Sequence, residues 1–122
     1  MPDYHRLKVW EKSHRLVLAI YTATARLPVA ERYGLTAQIR RGAVSIPSNI
    51  VEGAGRRGDG EFKRFLSIAL GSVAEVEYQL LLSRDLGFLA PADHKRLTEQ
   101  VGEIGRMLSA LQAKVTKAAN SQ

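Results

Sequence analysis

Apolar residues recur along the chain in alternating steps of three and four, a spacing that places them on one face of an α-helix. Four such segments predict helices over about residues 7–27, 34–53, 60–86 and 91–117. No segment shows the two-residue alternation of a strand, and short connections containing Gly or Pro separate the four segments. Helices of this length with short connections predict an all-α, antiparallel up-down-up-down four-helix bundle, forming a single domain over residues 1–122.

Each predicted helix carries one apolar seam, whose residues we expect to find buried in the bundle core. The seam of the first helix consists of Trp10, Ser13, Val17, Ile20, Thr24 and Leu27. The seams of the second and third helices consist of Leu35, Ile39, Ala43, Ile46, Ile50 and Gly53, and of Phe62, Phe65, Leu66, Ala69, Val73, Val76 and Leu80. The fourth seam consists of Leu97, Val101, Ile104, Leu108, Leu111 and Val115.

Four residues indicate where the helices begin and end. Pro28 is expected to end the first helix, because proline disfavours helical geometry at the residue before it. Asp59 is a suitable N-cap for the third helix, and Gly87 is expected to end that helix in a left-handed conformation. Pro91 falls in the first turn of the fourth helix, where its missing N–H costs no helical hydrogen bond.

Pro47 lies inside the second predicted helix. Proline has no N–H to donate and crowds the carbonyl four residues earlier, here that of Ala43. We therefore expect a kink between these two residues. Two shorter helices are the alternative; the kink is favoured because the apolar seam keeps its phase across the proline.

The third helix is apolar on more than one stripe. The residues off its main seam are Ile68, Leu70, Leu81 and Leu82. If some of them are exposed in a monomer, they predict a subunit interface. The alternative is that they form the ordinary edge of a broad core-facing stripe.

Composition narrows the class of protein. The 122 residues are 45% hydrophobic and 25% charged, as in a globular domain. The absence of cysteine excludes disulfides, thiolate metal sites and cysteine nucleophiles. The N-terminus lacks the apolar stretch of a signal peptide, and no apolar run approaches the roughly 18 residues that span a bilayer. These features predict a cytoplasmic protein with no membrane partner.

The net charge of +6 is unevenly distributed. Residues 1–64 contain 12 Lys and Arg against 6 Asp and Glu, whereas residues 65–122 contain 6 of each. Such an excess points to an anionic partner, RNA or DNA above all, although a solvated basic face is the alternative. The candidate nucleic-acid-binding residues form two clusters: Arg6, Lys8, Lys12 and Arg15, and Arg56, Arg57, Lys63 and Arg64. Because Phe62 and Phe65 are expected in the core, few aromatic rings accompany these cations, so contacts to phosphates are expected to dominate.

No pattern of catalytic residues emerges. The Glu11-Lys12-Ser13-His14 spacing occurs once, whereas a di-metal bundle site needs it on two helices. The glycine-rich residues 53–58 lead into no Gly-Lys-Ser/Thr and follow no strand, which excludes a P-loop. We therefore predict no catalytic residue, no metal site and no cofactor, and a protein that is not an enzyme.

Glu75 is predicted to flank the core seam of the third helix. A carboxylate near a core usually pairs with an arginine, because an unpaired buried charge is costly. Arg40 and Arg41 on the second helix are the natural partners. An interhelical ion pair is thus predicted there, in preference to acid–base catalysis.

Two stretches carry a family resemblance. Residues 38–53, which contain Ser45-Ile46-Pro47-Ser48-Asn49-Ile50-Val51-Glu52-Gly53, and residues 71–77 resemble the bacterial four-helix-bundle family also called S23 or 23S-rRNA intervening-sequence proteins. The positions that match its motif are Arg40, Arg41, Pro47, Asn49, Glu52, Glu75 and Glu77, to which the resemblance gives structural or interface roles. Gly42 departs from the family pattern, where alanine is usual, and is expected to loosen the helix slightly.

The resemblance also implies a mode of action. The family is similar to Avd, the accessory protein of diversity-generating retroelements, a basic pentameric barrel of four-helix bundles that binds nucleic acid and a reverse transcriptase. By analogy the chain is expected to be a non-enzymatic basic oligomer, a homopentamer, that binds RNA or DNA or serves as an adaptor for a protein partner that handles nucleic acid. A protein–protein interaction scaffold with no nucleic-acid role is the alternative.

Overall fold

The structure, a computed structural model, describes the backbone of residues 3–120 and the side chains of residues 3–116. Four helices make up most of it: α1 (Lys8–Thr24), α2 (Leu35–Ala54), α3 (Asp59–Asp85) and α4 (Pro91–Asn120). Single 3-10 turns precede α1 at Tyr4–Arg6 and α2 at Val29–Glu31. Within residues 3–120 there is no strand, and the predicted all-α bundle is confirmed.

Neighbouring helices pack side by side around one core. Each helix packs against the next, and α1 packs against α4. Along α2 and α3 the contacts run in opposite order: Ser45 meets Ser72 with 2.8 Å between their Oγ atoms, while Gly53 lies against Phe65. The start of α1, the end of α2 and the start of α3 therefore share one end of the bundle, which the Tyr4–Arg6 turn also joins by packing against α2.

The core is built from the predicted seams, with a correction on α1. Every seam residue predicted on α2 and α3 is buried. On α1, however, Trp10 and Val17 are only half-buried, and Val9 and Leu16 are buried in their place. Ser13, Ile20, Thr24 and Leu27 are buried as predicted, so the core-facing stripe of α1 is shifted only slightly, toward Val9 and Leu16. On α4 the end of the seam, Leu111 and Val115, is half-buried.

Glycines rather than Asp59 define the limits of α3. Gly58 occupies the N-cap with a φ of 86°, and Asp59 is the first helical residue with no capping hydrogen bond, so the predicted aspartate cap is wrong. At the other end Gly87 has a φ of 78°, and the N–H groups of Gly87 and Phe88 donate to the carbonyls of Arg84 and Ser83. This pair of hydrogen bonds is a Schellman motif, which confirms that Gly87 ends the helix.

Helix α2 continues through its proline. Pro47 is buried and the helix is uninterrupted over Leu35–Ala54, so the alternative of two shorter helices is wrong. The kink near Ala43 stays a prediction. Helix α1 instead stops earlier than expected, at Thr24, four residues before Pro28.

Two glycines of α2 allow close contact with α3. A Cβ atom added at Gly53 would lie 2.8 Å from Cβ of Phe65, and one at Gly42 would lie 2.9 Å from Cγ2 of Val76. Real Cβ atoms do not approach so closely, so α2 and α3 pack at a distance that only glycine permits. Gly42 is thus also a packing residue, and its expected loosening of α2 stays a prediction.

Helix α3 is also the one helix, among the described residues, that is long and apolar enough to cross a membrane. The charged residues Glu75 and Glu77 interrupt its apolar stretch. Its buried residues belong to the core shared by all four helices. The core helix of a water-soluble bundle has the same length and composition, so this feature is weak support for a membrane role.

Candidate nucleic-acid interface

The two predicted basic clusters lie at the same end of the bundle. Arg6 and Lys8 lie in the Tyr4–Arg6 turn and at the start of α1, and Lys12 and Arg15 follow about one and two turns further along α1. Arg56, Arg57, Lys63 and Arg64 surround the connection from α2 to α3. All eight side chains are exposed. We call the surface formed by these eight residues the basic end.

Half of these cations are engaged by carboxylates. The four ion pairs are Lys12 with Glu103, Arg15 with Glu11 at 2.7 Å, Arg56 with Glu52 at 2.6 Å, and Arg64 with Glu61 at 3.1 Å. All four pairs are solvent-exposed, where such pairs contribute only about 0–1 kcal/mol. Among the described side chains, no carboxylate lies within 4.0 Å of the remaining cations, Arg6, Lys8, Arg57 and Lys63. These four are the cations most available to phosphates.

Aromatic rings gather beside the first cluster, contrary to the expectation that few would accompany the cations. The ring centroid of Trp10 lies 5.0 Å from that of Tyr4 and 5.6 Å from that of His5, and Tyr4 and His5 stack at 4.0 Å. On its other side Trp10 stacks on His14 at 5.6 Å, with the two planes only 4° apart. We call Tyr4, His5, Trp10 and His14 the aromatic cluster.

The sequence gives only an indirect signal for this cluster. The three-residue turn Tyr4–Arg6 folds the N-terminus back onto α1, and Asp3 caps that turn by accepting a hydrogen bond from the N–H of His5 at 3.1 Å. Asp3 also bonds Nδ1 of His5 at 2.7 Å. These two bonds lower the pKa of the Asp3 carboxyl below its ordinary value. Asp3, as a capping residue, is a sequence signal for the turn. The position of the turn against α1 depends on packing and has no such signal.

Phe65 has the core position that the sequence predicts. Its side chain is 8% exposed. The guanidinium carbons of Arg64 and Arg56 lie 4.5 and 5.4 Å from the ring centroid. These cation–π contacts hold both arginines against the bundle surface and reduce their freedom to follow a nucleic-acid backbone.

The predicted ion pair between Glu75 and the arginines of α2 is wrong. Glu75 is exposed and, among the described side chains, makes no ion pair with Arg40 or Arg41. Arg40 points to α1 instead, where its Nε donates to Oγ1 of Thr24 at 2.9 Å and its Nη2 donates to the carbonyl of Tyr21 at 3.2 Å. An exposed carboxylate keeps its hydration and needs no partner, which removes the reason for the predicted pair.

The other motif residues have local roles in the helices that carry them. Asn49 donates from Nδ2 to the carbonyl and to Oγ of Ser45, at 2.7 and 2.9 Å. Ser45 in turn bonds Ser72 of α3, so the amide supports the contact between α2 and α3. Glu52 holds Arg56, and Glu77 is exposed on α3. The structural or interface roles that the resemblance gives to the motif stay a prediction.

Sequence reasoning missed a groove at the opposite end of the bundle. It has a volume of about 690 Å³, lies where α1 ends and α2 begins, and its principal lining residues are Tyr21, Arg32, Tyr33, Arg40, Arg41 and Val44. We call it the Arg–Tyr groove. Its residues come from α1, the connecting loop and α2, so only the packing of those three segments assembles it. The pairing of an arginine with a tyrosine at positions 32 and 33 was the one local signal.

Apolar side chains remain exposed on the outer face of α3. Ile68 is 41% exposed, Tyr78 62% and Leu81 37%. The other two residues of the predicted second stripe, Leu70 and Leu82, are half-buried against the core. The second stripe is therefore divided between the core edge and solvent.

Comparisons with known proteins agree with this architecture. The sequence profile of the 23S rRNA-intervening sequence protein family matches residues 5–110. A crystal structure of a protein with unknown function from the S23 ribosomal protein family, from Bacteroides thetaiotaomicron VPI-5482, superposes with a TM-score of 0.80. It is 24% identical, and the match covers 86% of this chain and 95% of that chain, which shows a shared fold. No curated protein is a significant match in sequence.

Proposed function

Because the chain belongs to the 23S rRNA-intervening sequence protein family, we propose that it is a non-enzymatic, cytoplasmic module that binds RNA through the basic end. The observation that carries this proposal is the presence of four cations without carboxylate partners, Arg6, Lys8, Arg57 and Lys63, together with the aromatic cluster at one end of the bundle. Cations attract phosphates without regard to sequence, and exposed rings stack on unpaired bases. The family's name refers to an intervening sequence of 23S rRNA, so RNA is the nucleic acid that we propose.

The aromatic cluster makes single strands the preferred form of RNA. Bases in a duplex are already stacked and leave no face for a protein ring, whereas a single strand offers every base. Trp10 is half-buried and holds the two histidines and Tyr4 around it. His5 and His14 are the exposed members of the cluster and are the rings that we expect to stack on bases.

The test compares two doubly substituted proteins of equal charge. Arg57→Ala with Lys63→Ala removes two cations without carboxylate partners from the basic end. Arg84→Ala with Lys95→Ala removes two positive charges from the opposite end, where Arg84 is paired with Asp85. Fluorescence anisotropy with labelled single-stranded RNA should show weaker binding for the first protein alone. Because the lost contacts are to phosphates, the decrease in affinity should be the same for RNAs of different sequence. Equal affinity in the two proteins would contradict the proposal.

We further propose that the subunits assemble as a homo-oligomer, with a closed ring of five as the expected form. The exposed apolar side chains on the outer face of α3, Ile68, Tyr78 and Leu81, support an interface there. In a ring the basic ends repeat around the axis, so weak contacts to one RNA would reinforce each other. Sedimentation velocity should show one discrete species larger than the 13.5 kDa chain. A strict monomer at tens of micromolar would contradict this.

The same exposed apolar face favours a second candidate function, a protein–protein interaction scaffold or adaptor. Exposed apolar residues at the edge of a bundle are common binding surfaces for other proteins. In that case replacing Tyr78 and Leu81 by serine would abolish partner binding, and the Arg57→Ala, Lys63→Ala protein would retain its function. Failure of RNA binding at low salt would favour the scaffold.

A further inference from the structure

We propose that the Arg–Tyr groove binds a nucleotide unit, a planar base joined to a phosphate, supplied either as a free nucleotide or as part of a single-stranded RNA. The groove lies where α1 ends and α2 begins, at the end of the bundle opposite the basic end. The inference therefore does not depend on the function proposed for the basic end.

The arginines of the groove are available to an anion. In the part of the chain that the structure describes, none of Arg32, Arg40 and Arg41 forms an ion pair. Glu75 shares a neighbouring polar groove with Arg41 but lies beyond ion-pair distance. Three arginines that line one groove and have no carboxylate partner suit a phosphate, which accepts charge-assisted hydrogen bonds from arginine in pairs.

One of these arginines is already held in position. Arg40 is half-buried, donates to Oγ1 of Thr24 and to the carbonyl of Tyr21, and lies with its guanidinium carbon 4.4 Å from the Tyr21 ring centroid. A guanidinium has five N–H donors, so these two bonds leave donors for a ligand. Since the side chain is ordered before a ligand arrives, binding costs little additional conformational entropy.

The tyrosines of the groove offer rings on which the base of a nucleotide can stack. Tyr33 is 87% exposed, with the guanidinium carbon of Arg32 6.0 Å from its ring centroid, and Tyr21 is 43% exposed. A tyrosine ring that faces solvent beside an arginine is a suitable surface for stacking a base. The volume of about 690 Å³ also falls within the range of sites that bind small molecules.

A nucleotide unit suits both the arginines and the tyrosines of the groove. A carboxylate peptide would neutralise the arginines but leave the tyrosine faces in water, and an apolar partner would desolvate the arginines without pairing them. A second copy of this chain would have to bring both an acidic and an aromatic group to the same groove. A nucleotide carries a base and a phosphate in one small molecule, and the groove presents Tyr33, Arg40 and Arg41 in one lining.

The experiment is an amide NMR titration of the full chain with adenosine monophosphate (AMP), and with adenosine and inorganic phosphate alone. We expect AMP to shift the signals of Thr36, Ala37 and Val44, which line the groove, at concentrations where the two fragments have weaker effects. A short oligoadenylate added to the Arg57→Ala, Lys63→Ala protein then tests the strand as the source of the nucleotide. Binding of either probe at the groove supports the proposal.

Matched substitutions assign the binding to the groove. Tyr33→Ala and Arg41→Ala should each weaken binding at the groove by at least about fivefold, the effect of one lost base stack or one lost charged contact. Arg106→Ala removes an exposed arginine that belongs to neither proposed binding surface and should leave it unchanged. The proposal is overturned if neither probe shifts the groove signals, if the shifts cluster at the basic end, or if Tyr33→Ala and Arg41→Ala bind normally. Groove signals that move with protein concentration alone would assign the groove to a second copy and overturn it as well.

Discussion

Replacement of Gly53 by alanine tests the close approach of α2 and α3 beneath the basic end. The added Cβ would lie 2.8 Å from Cβ of Phe65, 3.1 Å from Cδ1 of Phe62 and 3.4 Å from the Phe62 carbonyl oxygen. The Cβ of Phe65 is fixed to the backbone and cannot rotate away, so the two helices must separate locally. That movement would disturb Phe65, which supports Arg56 and Arg64.

The expected magnitude follows from two opposing effects. Alanine is the better helix former by about 1 kcal/mol, whereas overpacking of a tight core costs typically about 1–3 kcal/mol. A contact with a backbone-bound Cβ is at or above the upper end of that range, so we expect a net loss of about 2 kcal/mol. For a chain of this length the entropy of unfolding converts that loss into a decrease of about 8 °C in Tm.

Gly71 provides the matched control. It lies in the middle of α3, is exposed, and has no neighbouring heavy atom within 4 Å of an added Cβ. Gly71→Ala should therefore show only the propensity gain of about 1 kcal/mol and raise Tm by about 4 °C. Thermal unfolding followed by circular dichroism at one low protein concentration measures both. If Gly53→Ala is as stable as Gly71→Ala, the close packing of α2 on α3 is refuted.

Three further predictions concern single side chains. Gly42→Ala should lower the free energy of unfolding by about 1 kcal/mol, because the crowding of the fully buried Val76 outweighs helix propensity; a stability gain in urea unfolding would contradict this. Glu52→Gln should strengthen RNA binding in anisotropy, since it releases Arg56 from its ion pair, and unchanged or weaker binding would count against the basic end. A hydrogen bond from Lys12 lowers the pKa of Glu103 below its ordinary value of 4.5. The pair therefore stabilises the fold above pH 4.5, and this stabilisation is lost as the pH falls through the lowered pKa. Glu103→Gln should therefore flatten the acid side of the stability curve, and an unchanged curve would show that the pair contributes nothing.

The bundle itself was predictable because its signals are local. The seams on α2 and α3 repeat over five turns or more, and any error of phase would place polar residues in the core. On α1 the pattern is ambiguous, since Val9 and Leu16 are as apolar as Trp10 and Val17, and only packing against α2 and α4 selects the stripe. The cap at Asp59 failed because Gly58, with its positive φ, begins the helix one residue earlier.

The candidate site, too, has some features with local sequence signals and others that depend on packing. The pairs Glu11–Arg15, Glu52–Arg56 and Glu61–Arg64 lie three or four residues apart on one helix, so their partial neutralisation of the basic clusters was visible in the sequence. The pairing of Lys12 with Glu103 was not, because it joins residues far apart along the chain. The Arg–Tyr groove could not be predicted either, because the packing of α1, the connecting loop and α2 assembles it.

The salt dependence of RNA affinity is the sharpest test of RNA binding at the basic end. The measurement is anisotropy of the unmodified protein with a single-stranded RNA short enough to reach one subunit, over a series of salt concentrations. If the four cations without partners, Arg6, Lys8, Arg57 and Lys63, each contact one phosphate, the log–log slope should be about −3, at roughly −0.7 per contact. No binding at low salt, or an affinity that does not change with salt, would contradict the proposal that the basic end binds RNA.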